Sequence, residues 1–288
     1  MRSRWFLGAL LCSLIIAGSQ SPQVSSQTRR RTHRTSASAS SSTGGSGPFK
    51  PACDNPSYPQ PAPGSDLAID SSCGLPGSGG AEAAQNSVKN NFCASGDPQK
   101  ISFDFLKGLQ ASVEADSSIN FGNHNSGDRQ KGPTTERGPL QTLGEGKLVV
   151  LTAYVLRARQ EGAESVNCGK NVPNTAGDHD IHISLVSLAQ TTDECTGIVA
   201  EMIPHHRPDS WSATNVNAVA SAKAPVRVTG QLMFDSSHFP CQDGSPTTGN
   251  PSRISLWEIH PIYSFEVGDG KGNWTSLDQW VGQQSSGK

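Results

Sequence analysis

The alternation within residues 254–267 leaves few folds open. Trp257, Ile259, Tyr263, Phe265 and Val267 are apolar, and Glu258, His260, Ser264 and Glu266 stand between them. A period of two over this length predicts a strand with one face buried and the other toward water or a ligand. Pro261 interrupts it and cannot donate to a ladder, so the strand is an edge, or is bent or bulged there. The same strand sets Glu258 and His260 side by side on its polar face.

Four more strands are expected upstream. Residues 147–159 are apolar on both faces at the start and more polar later, as in a long strand that bends to serve two sides of a barrel. In residues 178–185, Ile181, Ile183 and Leu185 alternate with Asp178, Asp180, His182 and Ser184. Residues 197–203 form a third strand stopped by Pro204, and residues 226–235 a fourth. Between these two lie Trp211 and a run over 216–222 suited to a short helix. Five strands with a helical insertion after the third match the order of an OB-like β-barrel, a five-stranded Greek-key barrel, and the class is mainly β. Another small antiparallel barrel or sandwich is the alternative. Trp274, Leu277, Trp280 and Val281 are expected to fold back over an exposed edge.

The segments before the barrel differ in character. Residues 1–19 read as a secretory signal peptide, with Arg2 and Arg4 ahead of a short apolar run. Residues 20–72 form a Ser/Thr/Arg/Pro-rich linker of a composition that does not support a packed core. Residues 73–143 form a helical segment and loop, in which residues 82–92 and 101–115 are expected to make a helical hairpin against the barrel. The barrel and its C-terminal extension occupy 144–281. No transmembrane segment is expected after removal of the signal.

Export puts the cysteines in an oxidising compartment. Beyond Cys12 there are six: Cys53, Cys73, Cys93, Cys168, Cys195 and Cys241. They imply disulfides, with 15 possible connectivities. Short loops favour Cys73–Cys93 and Cys168–Cys195, leaving Cys53 with Cys241. Residues 51–288 hold 16 basic and 25 acidic side chains, a formal charge of −9. That makes nucleic acid an unlikely partner, since a phosphate backbone needs clustered Lys and Arg. An unidentified ligand or protein is the expected partner.

The candidate polar site comprises Asp180, His182, Glu201, Asp235, His238, Glu258 and His260, with His205 and His206 in a flanking loop. Residues two apart on a strand share a face, so Asp180 with His182, and Glu258 with His260, form same-side pairs. His182, His238 and His260 are candidate ligands for a divalent metal, with zinc as the type. A carboxylate beside a histidine could instead orient a general base, and a structural polar network is the competing reading. No nucleophile elbow, P-loop or dinucleotide fingerprint is present. The expected function is an exported, disulfide-stapled binding module, and the alternative is a metal-dependent hydrolase with Glu258 or Asp180 as base.

Four separated stretches also resemble a group of exported bacterial proteins that share a D-x-H … V-T-G-x-x-x-F-D-x-x-H … E-[IL]-H-P pattern. Here these are Asp180 to His182, Ala200 to Pro204, Val226 to His238, and Trp257 to Pro261. The resemblance spans residues 70–281. It implies that Asp180, His182, Asp235, His238, Glu258 and His260 belong together, and it brings no activity or cofactor with it.

Overall fold

The computed structural model describes residues 76–116, 119, 136–168, 179–204, 207–247 and 250–286. The signal peptide, the linker, His205, His206, Cys53 and Cys73 lie outside the described residues.

A short 3-10 turn leads into α1 (Ala83–Lys89), which is followed by β1 (Gln99–Lys100), α2 (Phe103–Ala115) and α3 (Gly138–Leu143). The barrel strands are β2 (Leu148–Gln160), β3 (Ile181–Val186), β4 (Ile198–Met202), β5 (Pro225–Phe234) and β6 (Trp257–Gly268). Helix α4 (Ala213–Ala222) lies between β4 and β5, and β7 (Trp274–Ser276) and α5 (Leu277–Ser286) end the chain. Among the described residues no helix is long and apolar enough to cross a membrane.

The spatial order is β2-β3-β4-β6-β5, closed by a pairing of β5 with β2. Every pairing around the ring is antiparallel except that of β4 with β6. This is the connectivity of an OB-type barrel, with its helix between the third and fourth strands. One long strand serves both sides: residues 148–154 of β2 pair with β5, and residues 154–160 pair with β3 across a bulge between Val155 and Arg157.

Inward residues of all five strands make one core. Leu151, Ile183, Ala200, Val228, Trp257 and Phe265 are among them, with Leu106, Leu140, Val216 and Leu277 added by α2, α3, α4 and α5. Ser102 caps α2 by accepting from the Phe105 N–H, and Ser212 caps α4 in the same way through Asn215. These caps satisfy amide groups that a helix start leaves unpaired. The expected helical hairpin is not formed. Strand β1 separates the two helices, α2 joins the main core, and α1 lies on the outside of the barrel, where Val88 meets Met233. Helix α1 is also shorter than the reading of 82–92, ending at Lys89 with Asn90 as its C-cap.

Pro261 marks a bulge rather than an edge. Pairing of β5 with β6 shifts register on either side of Gly230, so Ile262 enters the main core and Tyr263 points the other way. Tyr263 therefore leaves the face it was expected to share with Trp257, and packs with Phe92 and Ile203. The C-terminal segment does fold back: β7 pairs with the end of β6, Leu277 is buried, and Trp280 and Val281 pack against the core.

The expected cysteine pairs fail in two cases. Cys195 bonds Cys241, which excludes both Cys168–Cys195 and Cys53–Cys241. The bridge joins the β3–β4 connection to the long segment between β5 and β6. Loop length did not reveal it because the folded chain brings these two connections to one end of the barrel, where the Ile254 N–H donates to the Gly197 carbonyl. Cys93 and Cys168 are also disulfide-bonded.

Candidate functional site

Strand register assembles the site. His182 of β3 stands directly opposite Glu201 of β4, and the parallel pairing of Ala200 with Ile259 brings Glu201 alongside His260 of β6. Met233 pairs with Glu258, which places Asp235, just past β5, near the same surface. All of these side chains point outward from the barrel, as side-chain alternation dictates.

The outward face is nevertheless not wet. Asp180, Glu201, Asp235, Glu258 and His260 are 0 % exposed and His182 is 3 % exposed. The cover is α1 with the residues after it. Gln85 accepts from the Ser236 N–H at 3.0 Å and donates to Ser237 at 2.6 Å. Asn91 donates to Gln231, whose own amide donates to the Val88 and His260 carbonyls, both at 2.8 Å. The reading of a solvent-facing polar face is thus corrected: alternation distinguishes two faces but does not say what covers each.

Two centres lie under this cover. In the first, Glu201 is shared by two histidines, with His260 Nε2 at 2.7 Å and His182 Nε2 at 3.2 Å. Glu164 approaches His182 Nε2 at 3.4 Å, and Lys89 lies 3.5 Å from Glu164 and 3.9 Å from Glu201. Asp180 completes the group through one oxygen, while its other oxygen accepts from Asn167 at 2.9 Å. In the second centre, Arg253 bridges Glu258 at 3.0 Å and Asp235 at 3.5 Å, and Asp235 also holds His238.

Electrostatics set the two carboxylates of the first centre apart. Burial pushes Asp180 up to about 6, reinforced by Glu164 and Glu201 and opposed by His260 and Lys89. Burial also acts on Glu201, but His182, Lys89 and His260 together hold it well below the usual carboxylate range. His182 resists its own burial and is raised, chiefly by Glu201 and Glu164. In the second centre, burial beside Glu201 and Asp235 raises Glu258 well above its ordinary value, despite Arg253. Asp235 is lowered, because His238, Lys89 and Arg253 outweigh its burial.

The three imidazoles do not converge. His238 turns to Asp235 at the partly exposed rim, and none of the close ligand groups among the described residues contains more than one of His182, His238 and His260. Those groups are Glu164–Asp180–His182, Asp180–Glu201–His260 and Glu201–Asp235–Glu258, each with its ligand atoms within 4.8 Å of one another. The same-side pairing of Asp180 with His182 does occur.

Sequence reading missed Lys89, Glu164 and Arg253. Lys89 follows Gln85 by four residues, which makes a polar stripe on α1 that could be read as solvated. It also missed Arg137 and Glu145, a fully buried pair. Arg137 Nε donates to Glu145 at 2.8 Å and its Nη2 to the Phe234 carbonyl at 2.7 Å, while Glu145 accepts from the Phe234 N–H. Together they clamp the end of β5. No family model matches this sequence, and neither a curated protein nor a solved structure matches it.

Proposed function

We propose that this protein is an exported, disulfide-stapled binding module whose binding centre is the polar barrel face beneath α1. The Cys195–Cys241 bridge is compatible with an oxidising compartment. The observation that carries the reading is the depth of the centre: Asp180, Glu201 and His260 are wholly buried, so the ligand is an ion or a group of very few atoms. Large substrates and partners meet only the loops and outer helices. The formal charge of −9 over residues 51–288 weighs against a nucleic acid backbone.

A hydrolase with Glu258 or Asp180 as base is the weaker reading, because a substrate would have to reach side chains that α1 seals. Native mass spectrometry of the oxidised full chain, purified without chelator, tests the choice. A small non-covalent adduct released on unfolding, with no turnover of ester or phosphoester substrates, is the expected result. Turnover abolished by Glu258→Gln would replace the binding reading with the hydrolase.

A further inference from the structure

We propose that Asp180, Glu201 and Nε2 of His260 hold a divalent first-row metal ion, of the zinc or manganese type, on the outer face of the barrel beneath α1. This rests on the reading of that face as a binding centre, and it names the ligand.

The hydrogen-bond pattern of His260 is the first support. Its Nδ1 lies 3.2 Å from the Lys89 carbonyl, and a carbonyl only accepts, so Nδ1 carries a hydrogen. In the neutral ring Nε2 then presents a lone pair, and it presents it to a carboxylate oxygen of Glu201 at 2.7 Å. With the ring neutral, two lone pairs face each other in a fully buried space, a conflict that a cation bound to both atoms removes. A proton on Nε2 is the competing solution, which titration with metal separates. A histidine whose far nitrogen donates to a backbone carbonyl is the usual outer support of a metal-bound imidazole.

The second support is the set of buried atoms without hydrogen bonds. Asp180 Oδ2, both carboxylate oxygens of Glu201 and His260 Nε2 have no hydrogen-bond partner outside the cluster, although buried polar atoms are normally satisfied. They belong to three strands or strand ends, and the ligand atoms of the three residues lie within 4.8 Å of one another. Asp180 is held for the task, since Asn167 fixes Oδ1 and leaves Oδ2 directed into the group.

Charge is the third. Glu164, Asp180, Glu201, Asp235 and Glu258 surround the face, and Lys89 and Arg253 are the permanent cations that reach them. Lys89 lies against Glu164 and Glu201, and the ligand atoms of the Asp180–Glu201–His260 group line the space a divalent ion would fill. The donor set selects the ion: an imidazole with two carboxylates suits zinc, manganese or iron(II), whereas calcium and magnesium take all-oxygen shells.

The test uses the oxidised full chain, stripped with chelator and then titrated separately with Zn2+, Mn2+ and Co2+. Binding of one equivalent is expected, with a rise in thermal midpoint that saturates at that ratio and, for Co2+, visible absorption bands of a nitrogen- and oxygen-ligated ion. Asp180→Asn keeps the side-chain shape and should weaken binding more than tenfold. Asn167→Ala touches no metal and should weaken it roughly tenfold by releasing Asp180. Unchanged affinity in Asp180→Asn and His260→Gln, both shown folded by circular dichroism, would overturn the site. If none of the three ions binds but the purified chain carries another small adduct, the metal inference fails and the binding module stands. If no adduct and no binding are found, both fall.

Discussion

At the scale of single residues, Gly230 is closely constrained. A Cβ there would lie 2.4 Å from the Pro261 carbonyl oxygen and 2.6 Å from Ile259 Cγ2, beside the bulge that Pro261 makes. The nearest atom is backbone and cannot step aside, so Gly230→Ala should cost about 1–3 kcal/mol, measurable as a lower urea midpoint. Asp235 makes a second case through pH. Its pKa is depressed in the folded state, because His238, Lys89 and Arg253 outweigh burial. Its contribution is therefore complete above the unfolded value of about 3.9 and is lost as pH falls through the lower folded value. Asp235→Asn should be less stable than the parent at pH 7, and the gap in unfolding free energy should close below about pH 4. A gap that stays constant from pH 7 to pH 3 would show that the pairing contributes nothing.

At the scale of elements, β3 was legible because apolar side chains recur along it at every second position. Ile181, Ile183 and Leu185 face the core, as the period of two requires. Their polar neighbours were placed on the correct face and in the wrong medium. The cover over His260 comes from α1, about 170 residues earlier in the chain, and its polar stripe of Gln85 and Lys89 resembles a solvated surface. Glu164 and Asn167 reach His182 and Asp180 from the segment after β2. Tyr263 escaped for another reason: the bulge at Pro261 sends Ile262 inward and Tyr263 outward while Phe265 and Val267 keep the inward face, a local shift that a uniform period conceals. Helix α1 is held mainly by polar groups, and Gln231 is the central one, binding Asn91 and the carbonyls of Val88 and His260. Gln231→Ala removes the acceptor of the Asn91 amide and a donor to the His260 carbonyl, while Val88 keeps the Asn91 N–H, at about 1–3 kcal/mol per orphaned group. Amide exchange in Ala83–Lys89 should accelerate far more than exchange in β2 or β5. Equal acceleration everywhere would mean that α1 does not detach separately.

At the scale of the whole molecule, the barrel and the site depend on the same closure. The long connection between β5 and β6 carries Arg253, the cation that sits between Asp235 and Glu258, and its course is pinned where the Cys241 N–H donates to the Arg253 carbonyl at 2.7 Å. Cys241 is bonded in turn to Cys195, 46 residues earlier, beside the turn that leads into β4. The disulfide thus ties the strand bearing Glu201 to the segment bearing Arg253, a relation invisible to loop-length reasoning because it arises only once the barrel has closed. Removing the bridge releases the unfolded chain from a loop of that size, a loss of about 2–4 kcal/mol. For a domain of this size that corresponds to a fall in melting temperature of roughly 5–15 °C. The Cys195→Ala/Cys241→Ala double variant isolates this bridge from the others, which a general reductant would not. Faster amide exchange should follow in residues 250–256 and at the start of β4, with α2 and α4 unaffected. A double variant that melts with the parent would mean that barrel closure alone fixes Arg253.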